Sequence, residues 1–296
     1  MTTVTAPTSG GPPLLGVADL RDRPPTKTIV SDALTVAHRN LIALIRTPTT
    51  LVFSTVQPII FVLLFRYVFG GAIKVPGSVP YVDYLMPGVF VQTVTFGSVN
   101  TGVGLATDLQ TGIIERFRSL PMARSAVLAG RTMADLVRNL FVIFLMVGVG
   151  FLVGFRVQTG VLPFLAAVVL MLGFGFAMSW IMALIGLASG NPEAAQAGAF
   201  PFMALLVFAS NAFVPTATMP WILRDYANHE PVSAVITAVR FLSEGRSRAA
   251  ARVLPSGRVV VGNGTTFEHV VVAVAWIVAI TVVFAALAFA RYRKAV

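Results

Sequence analysis

The sequence contains no cysteine and few charged residues. Only 11% of its 296 residues are charged, whereas soluble domains carry about 25%. The missing cysteine excludes disulfides, thiolate catalysis and sulfur-ligated metals. Lysine occurs only as Lys27, Lys74 and Lys294, and none of these follows the glycine-rich turn of a phosphate-binding loop. We therefore expect neither ATP hydrolysis nor a metal site in this chain.

Apolar residues dominate instead. They make up 56% of the chain, and the mean hydropathy is +0.83, which is typical of an integral membrane protein. A helix needs about 20 apolar residues to cross a bilayer. The sequence predicts an all-α membrane fold with six transmembrane helices, at about 51–70, 84–107, 133–155, 161–187, 194–216 and 270–290.

The segments before and between the spans divide the chain further. Residues 1–27 are rich in Pro, Thr and Gly and predict a disordered tail, followed by a single membrane domain over 28–296. In 28–47 apolar residues recur at helical spacing until Thr47-Pro48, which indicates an amphipathic elbow helix on the bilayer surface. An ordinary amphipathic soluble helix is the alternative. In the 217–269 loop, Trp221 begins an amphipathic piece, and we expect an extracellular cap of short re-entrant helices.

The basic residues indicate the orientation of the chain. With the 217–269 loop set aside, 12 Lys and Arg residues lie on the side of the N-terminus and 2 on the other. The positive-inside rule then places both termini in the cytoplasm, although the arginines of the long loop oppose it. The net charge of +10 does not indicate nucleic-acid binding, because the basic residues are scattered over loops.

Small and polar residues recur within the predicted spans, five of them on one face of the second span. The full set is Gln57, Gln92, Thr93, Gly97, Asn100, Thr101, Gly104 and Asn211. Such residues either pack helices closely or line a substrate path or a dimer seam, and the sequence leaves both interpretations open. No carboxylate or histidine lies in the middle of a span, which argues against proton coupling.

The densest group of charges lies between the second and third predicted spans. We expect it to dock a partner, since a mere turn needs few positioned charges. Its residues are Glu115, Arg116, Phe117, Arg118, Leu120, Pro121 and Arg124. Five further residues support the elbow and the helix end: Arg39, Arg46, Arg131, Asp135 and Arg138.

These segments resemble the type-2 ATP-binding-cassette exporter permeases of the daunorubicin-resistance group. The resemblance covers about residues 35–290 and departs from the family in 245–265, which is longer and richer in arginine than expected. The segments that carry it are Asp108 to Arg124 (DLQTGIIERFRSLPMAR), Gly130-Arg131, Tyr84 to Gly88 (YLMPG), Met219-Pro220-Trp221 and Glu230-Pro231.

The resemblance implies a permease subunit of an ATP-driven exporter, not an enzyme, in the bacterial plasma membrane. It implies a cytoplasmic coupling helix within 108–131, pairing with a second permease chain, and two copies of a separate ATPase subunit that binds ATP and Mg²⁺. Amphipathic drug-like or lipid-like substrates suit the composition of the spans. An ion-coupled secondary exporter and a non-transporting sensor or scaffold are the alternatives.

Overall fold

The computed structural model describes residues 38, 42, 48–73, 80–113, 124–245, 249, 251–253, 259–261 and 264–295. The described chain is predominantly helical, which confirms the helical part of the predicted fold. One antiparallel pair of three-residue strands, inside the predicted cap, is an addition to it. The predicted tail, the elbow apart from two isolated positions, and 114–123 lie outside the described residues.

Within the described residues, the nine α-helices and two strands have the following bounds. They are α1 Pro48–Leu63, continued as a π-helix over Leu64–Phe69; α2 Tyr81–Gly97; α3 Val99–Gln110; α4 Arg124–Val153; α5 Val161–Ser189; α6 Pro192–Phe208; a 3₁₀ turn at Thr216–Thr218; α7 Trp221–His229; α8 Pro231–Glu244; β1 Ala251–Val253; β2 Val259–Val261; and α9 Thr266–Ala295.

Three of these helices are long and apolar enough to cross a membrane. The qualifying stretches are Gly130–Val153 in α4, Val161–Ser189 in α5 and Thr266–Tyr292 in α9. Thr55–Phe69 and Pro192–Phe208 are shorter apolar helices. The predicted second span is divided at Ser98 into α2 and α3, so the six-span count stays a prediction.

Helix α5 is the centre of the bundle. It packs against α2, α3, α4, α6, α8 and α9. Met171, Phe174 and Met178 on it are fully buried, and the buried hydroxyl of Ser179 donates to the carbonyl of Gly175. A helix that is apolar on all sides fits either a protein core or a membrane span, and the buried part of α5 forms the core of this bundle.

Two close backbone approaches fix the neighbours of the core. A Cβ on Gly186 of α5 would lie 2.2 Å from the carbonyl oxygen of Gly102 in α3. A Cβ on Gly88 of α2 would lie 2.3 Å from the carbonyl oxygen of Ala212, in the loop after α6. Only glycine fits at such distances, so these two positions set how closely the elements pack.

The cap contains two short helices with different environments. Most of α7 is exposed, including Trp221, which is 77% exposed. In contrast, α8 is buried and packs against α2, α5 and α9. The carboxylate of Glu230 accepts hydrogen bonds from the backbone N–H groups of Val232 and Ser233 and so caps α8. The described part of the cap is therefore built into the bundle through α8.

Candidate functional site

A polar ladder joins α3 to α4 at one end of the bundle. Arg131 and Asp108 form an ion pair with an N to O distance of 2.6 Å. The guanidinium of Arg138 lies 3.2 Å from the carboxylate of Asp135, and the hydroxyl of Thr101 donates to that carboxylate. The spacing of i, i+4 and i+7 along α4 places Arg131, Asp135 and Arg138 on one face. We call these five residues the inner ladder.

Side chains of α4 lie directly against two glycines of the predicted second-span face. A Cβ on Gly104 would lie 1.3 Å from Nη2 of Arg131, and one on Gly97 would lie 2.7 Å from Oδ1 of Asn139. Arg138 also donates to the carbonyl oxygen of Gly97. The structure thus places Gly97, Thr101 and Gly104 against the same helix, α4.

Other predicted residues are also packed within the bundle. Gln92 and Thr93 are buried in α2, and the hydroxyl of Thr93 donates to the carbonyl of Val89 at 2.7 Å. Asn211 connects the loop after α6 to α8, because its Nδ2 lies 3.0 Å from the hydroxyl oxygen of Thr237.

A second group of polar residues is exposed on the outside of the bundle. Gln57 of α1 and Asn100 of α3 belong to the predicted set, and Thr107 and Gln196 were not predicted. The rings of Phe96 and Phe200 lie 5.6 Å apart and join the end of α2 to α6. Asn100 lies one turn beyond Phe96 and Gln196 one turn before Phe200, so both flank this contact. Gln57 lies on α1, apart from this contact, and the four exposed polar residues are Gln57, Asn100, Thr107 and Gln196.

The exposed surfaces of α4 and α9 contain apolar side chains instead. Every exposed side chain of α4 from Met133 to Leu152 is apolar, and so is every exposed side chain of α9 from Val271 to Ala290. Such faces suit lipid. Exposed amides at membrane depth do not, because hydrocarbon offers them no hydrogen-bond partner.

Sequence reasoning missed a buried arginine at the opposite end of the bundle. The guanidinium of Arg240 in α8 stacks on the ring of Tyr84 at 3.7 Å. It donates to the carbonyl oxygens of Tyr84, Asn211 and Ala212 at 3.1, 2.8 and 3.3 Å. We call Arg240 and these three partners the outer anchor. The only sequence signal was a lone arginine at the end of the apolar run 231–239.

The predicted docking segment falls mainly outside the described residues. Glu115, Arg116, Phe117, Arg118, Leu120 and Pro121 lie outside them, as do Arg39 and Arg46 of the elbow. Arg124 begins α4, and α3 ends at Gln110. Because the Asp108–Arg131 pair holds these two helices side by side, the segment connects neighbouring helix ends on one side of the bundle.

A bundle of helices whose exposed side chains on α4 and α9 are apolar is typical of an integral membrane protein. A family model described as ABC-2 type transporter matches residues 32–242. The chain belongs to this family, which confirms the resemblance inferred from the sequence.

Two curated relatives agree with this assignment. A daunorubicin resistance ABC transporter permease protein of Streptomyces coeruleorubidus is 36% identical over 241 residues, which cover 81% of this chain and 84% of that protein. A doxorubicin resistance ABC transporter permease protein of Mycobacterium tuberculosis is 25% identical over 176 residues, which cover 58% of this chain and 59% of that protein.

Proposed function

We propose that this chain is the membrane subunit of an ATP-driven exporter that moves amphipathic drug-like or lipid-like molecules out of the cytoplasm or the inner leaflet. The observation that carries the proposal is the one-sided distribution of exposed polar side chains. Gln57, Asn100, Thr107 and Gln196 are exposed on α1, α3 and α6, whereas α4 and α9 expose only apolar side chains over the ranges given above. A face with amides belongs against a partner or a pathway rather than lipid.

The occupant of that face is a second permease chain, with the substrate path at the seam. Pairing two polar faces lets amides bond across the seam or to a substrate, as interhelical amides do in membranes. Gln57 and Asn100 then line the seam, whereas Gln92, Thr93, Gly97, Thr101, Gly104 and Asn211 act one layer behind it. The second chain is a copy of this one or a paralogue.

The energy for transport comes from ATP hydrolysis by a separate ATPase subunit, which is present in two copies and binds ATP and Mg²⁺. The docking segment from Glu115 to Arg124 joins α3 to α4, so a push on it acts on both helices at once. Shifting a two-state equilibrium from 1:99 to 99:1 needs about 5.5 kcal/mol of differential binding. Nucleotide-driven closure of the partner supplies that energy, and this chain supplies the two states.

Orientation and substrate follow from the same proposal. Six spans leave both termini in the cytoplasm of a bacterial cell, with the cap at α7 and α8 outside the plasma membrane. The names of the relatives refer to resistance to daunorubicin and doxorubicin. We therefore extend the substrate class to amphipathic aromatic drugs, in addition to lipid-like molecules.

The test is ATP hydrolysis by the permease reconstituted in lipid nanodiscs with its ATPase subunit, with doxorubicin or a lipid as probe. We expect stable co-assembly and turnover that rises with the probe. Asn100→Leu should lower this stimulation by about tenfold, the effect of losing one polar contact to a ligand. Val137→Leu on the apolar face of α4 is the matched control and should leave it unchanged.

Two further results decide between this proposal and its alternatives. Charge reversal at Arg116 and Arg118 should uncouple ATP turnover from export while the protein stays in the membrane. Probe movement in vesicles that needs an ion gradient and no ATP would favour a secondary exporter. Co-assembly without any response to any probe would favour a sensor or scaffold.

A further inference from the structure

The break between α2 and α3 frees a backbone carbonyl at Gly97. In a continuous helix this carbonyl accepts from the N–H four residues later, which is that of Thr101. Here the N–H of Thr101 donates to the carbonyl of Ser98 instead, at 3.0 Å. The carbonyl of Gly97 accepts from two side chains, Nη2 of Arg138 and Nδ2 of Asn100, the latter at 3.2 Å.

The residues around the break weaken the helical hydrogen-bond pattern. The hydroxyls of Thr93, Thr95 and Ser98 donate to the carbonyls of Val89, Val91 and Thr95 at 2.7, 2.7 and 2.6 Å. Hydroxyls that donate back to the preceding turn compete with the helical pattern and bend helices. Together with Gly97, these hydroxyls reduce the regularity of the helix at this point of the predicted second span.

Arg138 holds both sides of the break. It donates directly to Gly97 at the end of α2, and its partner Asp135 accepts from Thr101 in the first turn of α3. Arg138 and Asp135 are only 7% and 8% exposed. A buried ion pair with satisfied hydrogen bonds favours one specific geometry, which fixes the angle between α2 and α3.

The two sides of the break are attached to different parts of the molecule. Outward of it, the hydroxyls of Tyr81 and Tyr84 donate to the carbonyls of Phe213 and Asn211, and Gly88 touches Ala212. Inward of it, α3 leads to the docking segment. The break therefore lies between a region anchored to the loop after α6 and a region next to the proposed ATPase contact.

From these contacts we propose that Gly97–Ser98 is a hinge and that Arg138 is the positioning residue that sets its angle. When the ATPase acts on the docking segment, α3 turns about this hinge, and Arg138 with Asp135 carries α4 along. This inference rests on the proposed function for its role in transport. The hinge itself is a property of the permease alone and is tested without the partner.

The first measurement uses the permease alone in nanodiscs. Since the chain has no cysteine, a Thr107→Cys and Val282→Cys pair can carry two spin labels that report the position of α3 against α9. Arg138→Gln should broaden the distance distribution and raise amide exchange over 98–102 by about tenfold, because the freed carbonyl loses its charged donor. Arg138→Lys, which keeps the charge, should restore part of the protection.

Arg131→Gln is the matched control. It removes another arginine of the same inner ladder, seven residues earlier on the same face, but it does not touch the break. Amide exchange over 98–102 should stay at the wild-type value in this variant. Equal exchange in Arg138→Gln and wild type, or an equal rise in both variants, would overturn the hinge assignment.

The second measurement adds the ATPase subunit. Arg138→Gln should lower probe-stimulated turnover about tenfold and leave the apparent affinity for the probe nearly unchanged. A positioning residue acts on the motion and not on the ligand contacts. Unchanged stimulation together with a loosened hinge would overturn the role in coupling. A loosened hinge in a wild-type complex that never responds to any probe would instead refute the proposed function and leave the hinge standing.

Discussion

The inner ladder and the outer anchor both bury an arginine that donates to backbone carbonyls, but they hold it differently. At the inner end, Arg138 lies 3.2 Å from the carboxylate of Asp135 and also reaches one carbonyl. At the outer end, Arg240 donates to three carbonyls and stacks on the ring of Tyr84. The inner arginine thus bonds mainly to a side chain, and the outer one to backbone and a ring.

This difference indicates which end can move. Both members of the Asp135–Arg138 pair belong to α4, so the pair itself stays intact when α2 and α3 change their angle, and only its single hydrogen bonds to Gly97 and Thr101 have to adjust. Three carbonyls from two separate segments and one aromatic face accept a guanidinium in one position only. The end at Arg240 is therefore held more rigidly than the end at Arg138, which is the end where we propose that the ATPase subunit docks.

The largest effect is expected for removal of the outer anchor. Arg240→Met removes the three guanidinium hydrogen bonds to carbonyls and the stacking on the Tyr84 ring, and should lower the free energy of unfolding by about 3 kcal/mol or more. Thermal unfolding of the permease in nanodiscs measures it. Arg224→Met, on the exposed helix α7, is the control and should stay within about 0.5 kcal/mol of wild type. Equal stability of the two variants would remove the distinction between the two ends.

A smaller effect is expected from the two close glycine contacts. Gly186→Ala forces α5 away from α3, and Gly88→Ala forces α2 away from the loop at Ala212. Each should cost about 1–3 kcal/mol, with Gly186→Ala the costlier, because two packed helices yield less than a loop. Gly148→Ala, where no atom lies within 4 Å of the added Cβ, should be neutral or stabilising. Comparable unfolding temperatures for all three would contradict these contacts.

The class of fold was predictable because it depends on composition and on the length of apolar runs. The family was predictable from the charged segment between Asp108 and Arg124. The break at Ser98 was not predicted, although Thr93, Thr95, Gly97 and Ser98 stand close together in the sequence. Each of these residues is tolerated in a continuous membrane helix, so only their hydrogen bonds reveal the break.

The sequence predicts which polar residues share a helix face, but it does not predict what that face packs against. Helical spacing correctly groups Gly97, Thr101 and Gly104 on one face, yet it does not say which helix covers that face. That depends on the arginines of α4, which the sequence explains equally well as support for a helix end. Arg240 could not be assigned at all, since its partners are carbonyls, which every residue has.

The smallest expected effect concerns the pH dependence of α8, the helix that carries Arg240 of the outer anchor. Glu230 caps α8, and burial raises the pKa of its carboxyl to about 7 from an ordinary value of 4.5. The folded cap therefore binds the proton more tightly than the opened cap. The stability gained from this is complete below pH 4.5 and is lost as the pH rises through 7.

Amide exchange over 231–236, corrected for the intrinsic rate, should consequently become faster between pH 5 and pH 7, by at most about tenfold per unit because one proton is involved. Glu230→Gln should remove this pH dependence while amides of α5 serve as the internal reference. Amide exchange next to the inner ladder serves as the comparison for the opposite end of the bundle. Protection that falls equally at both ends would mean that the whole bundle responds to pH, and the outer end would then not be a separate anchored unit.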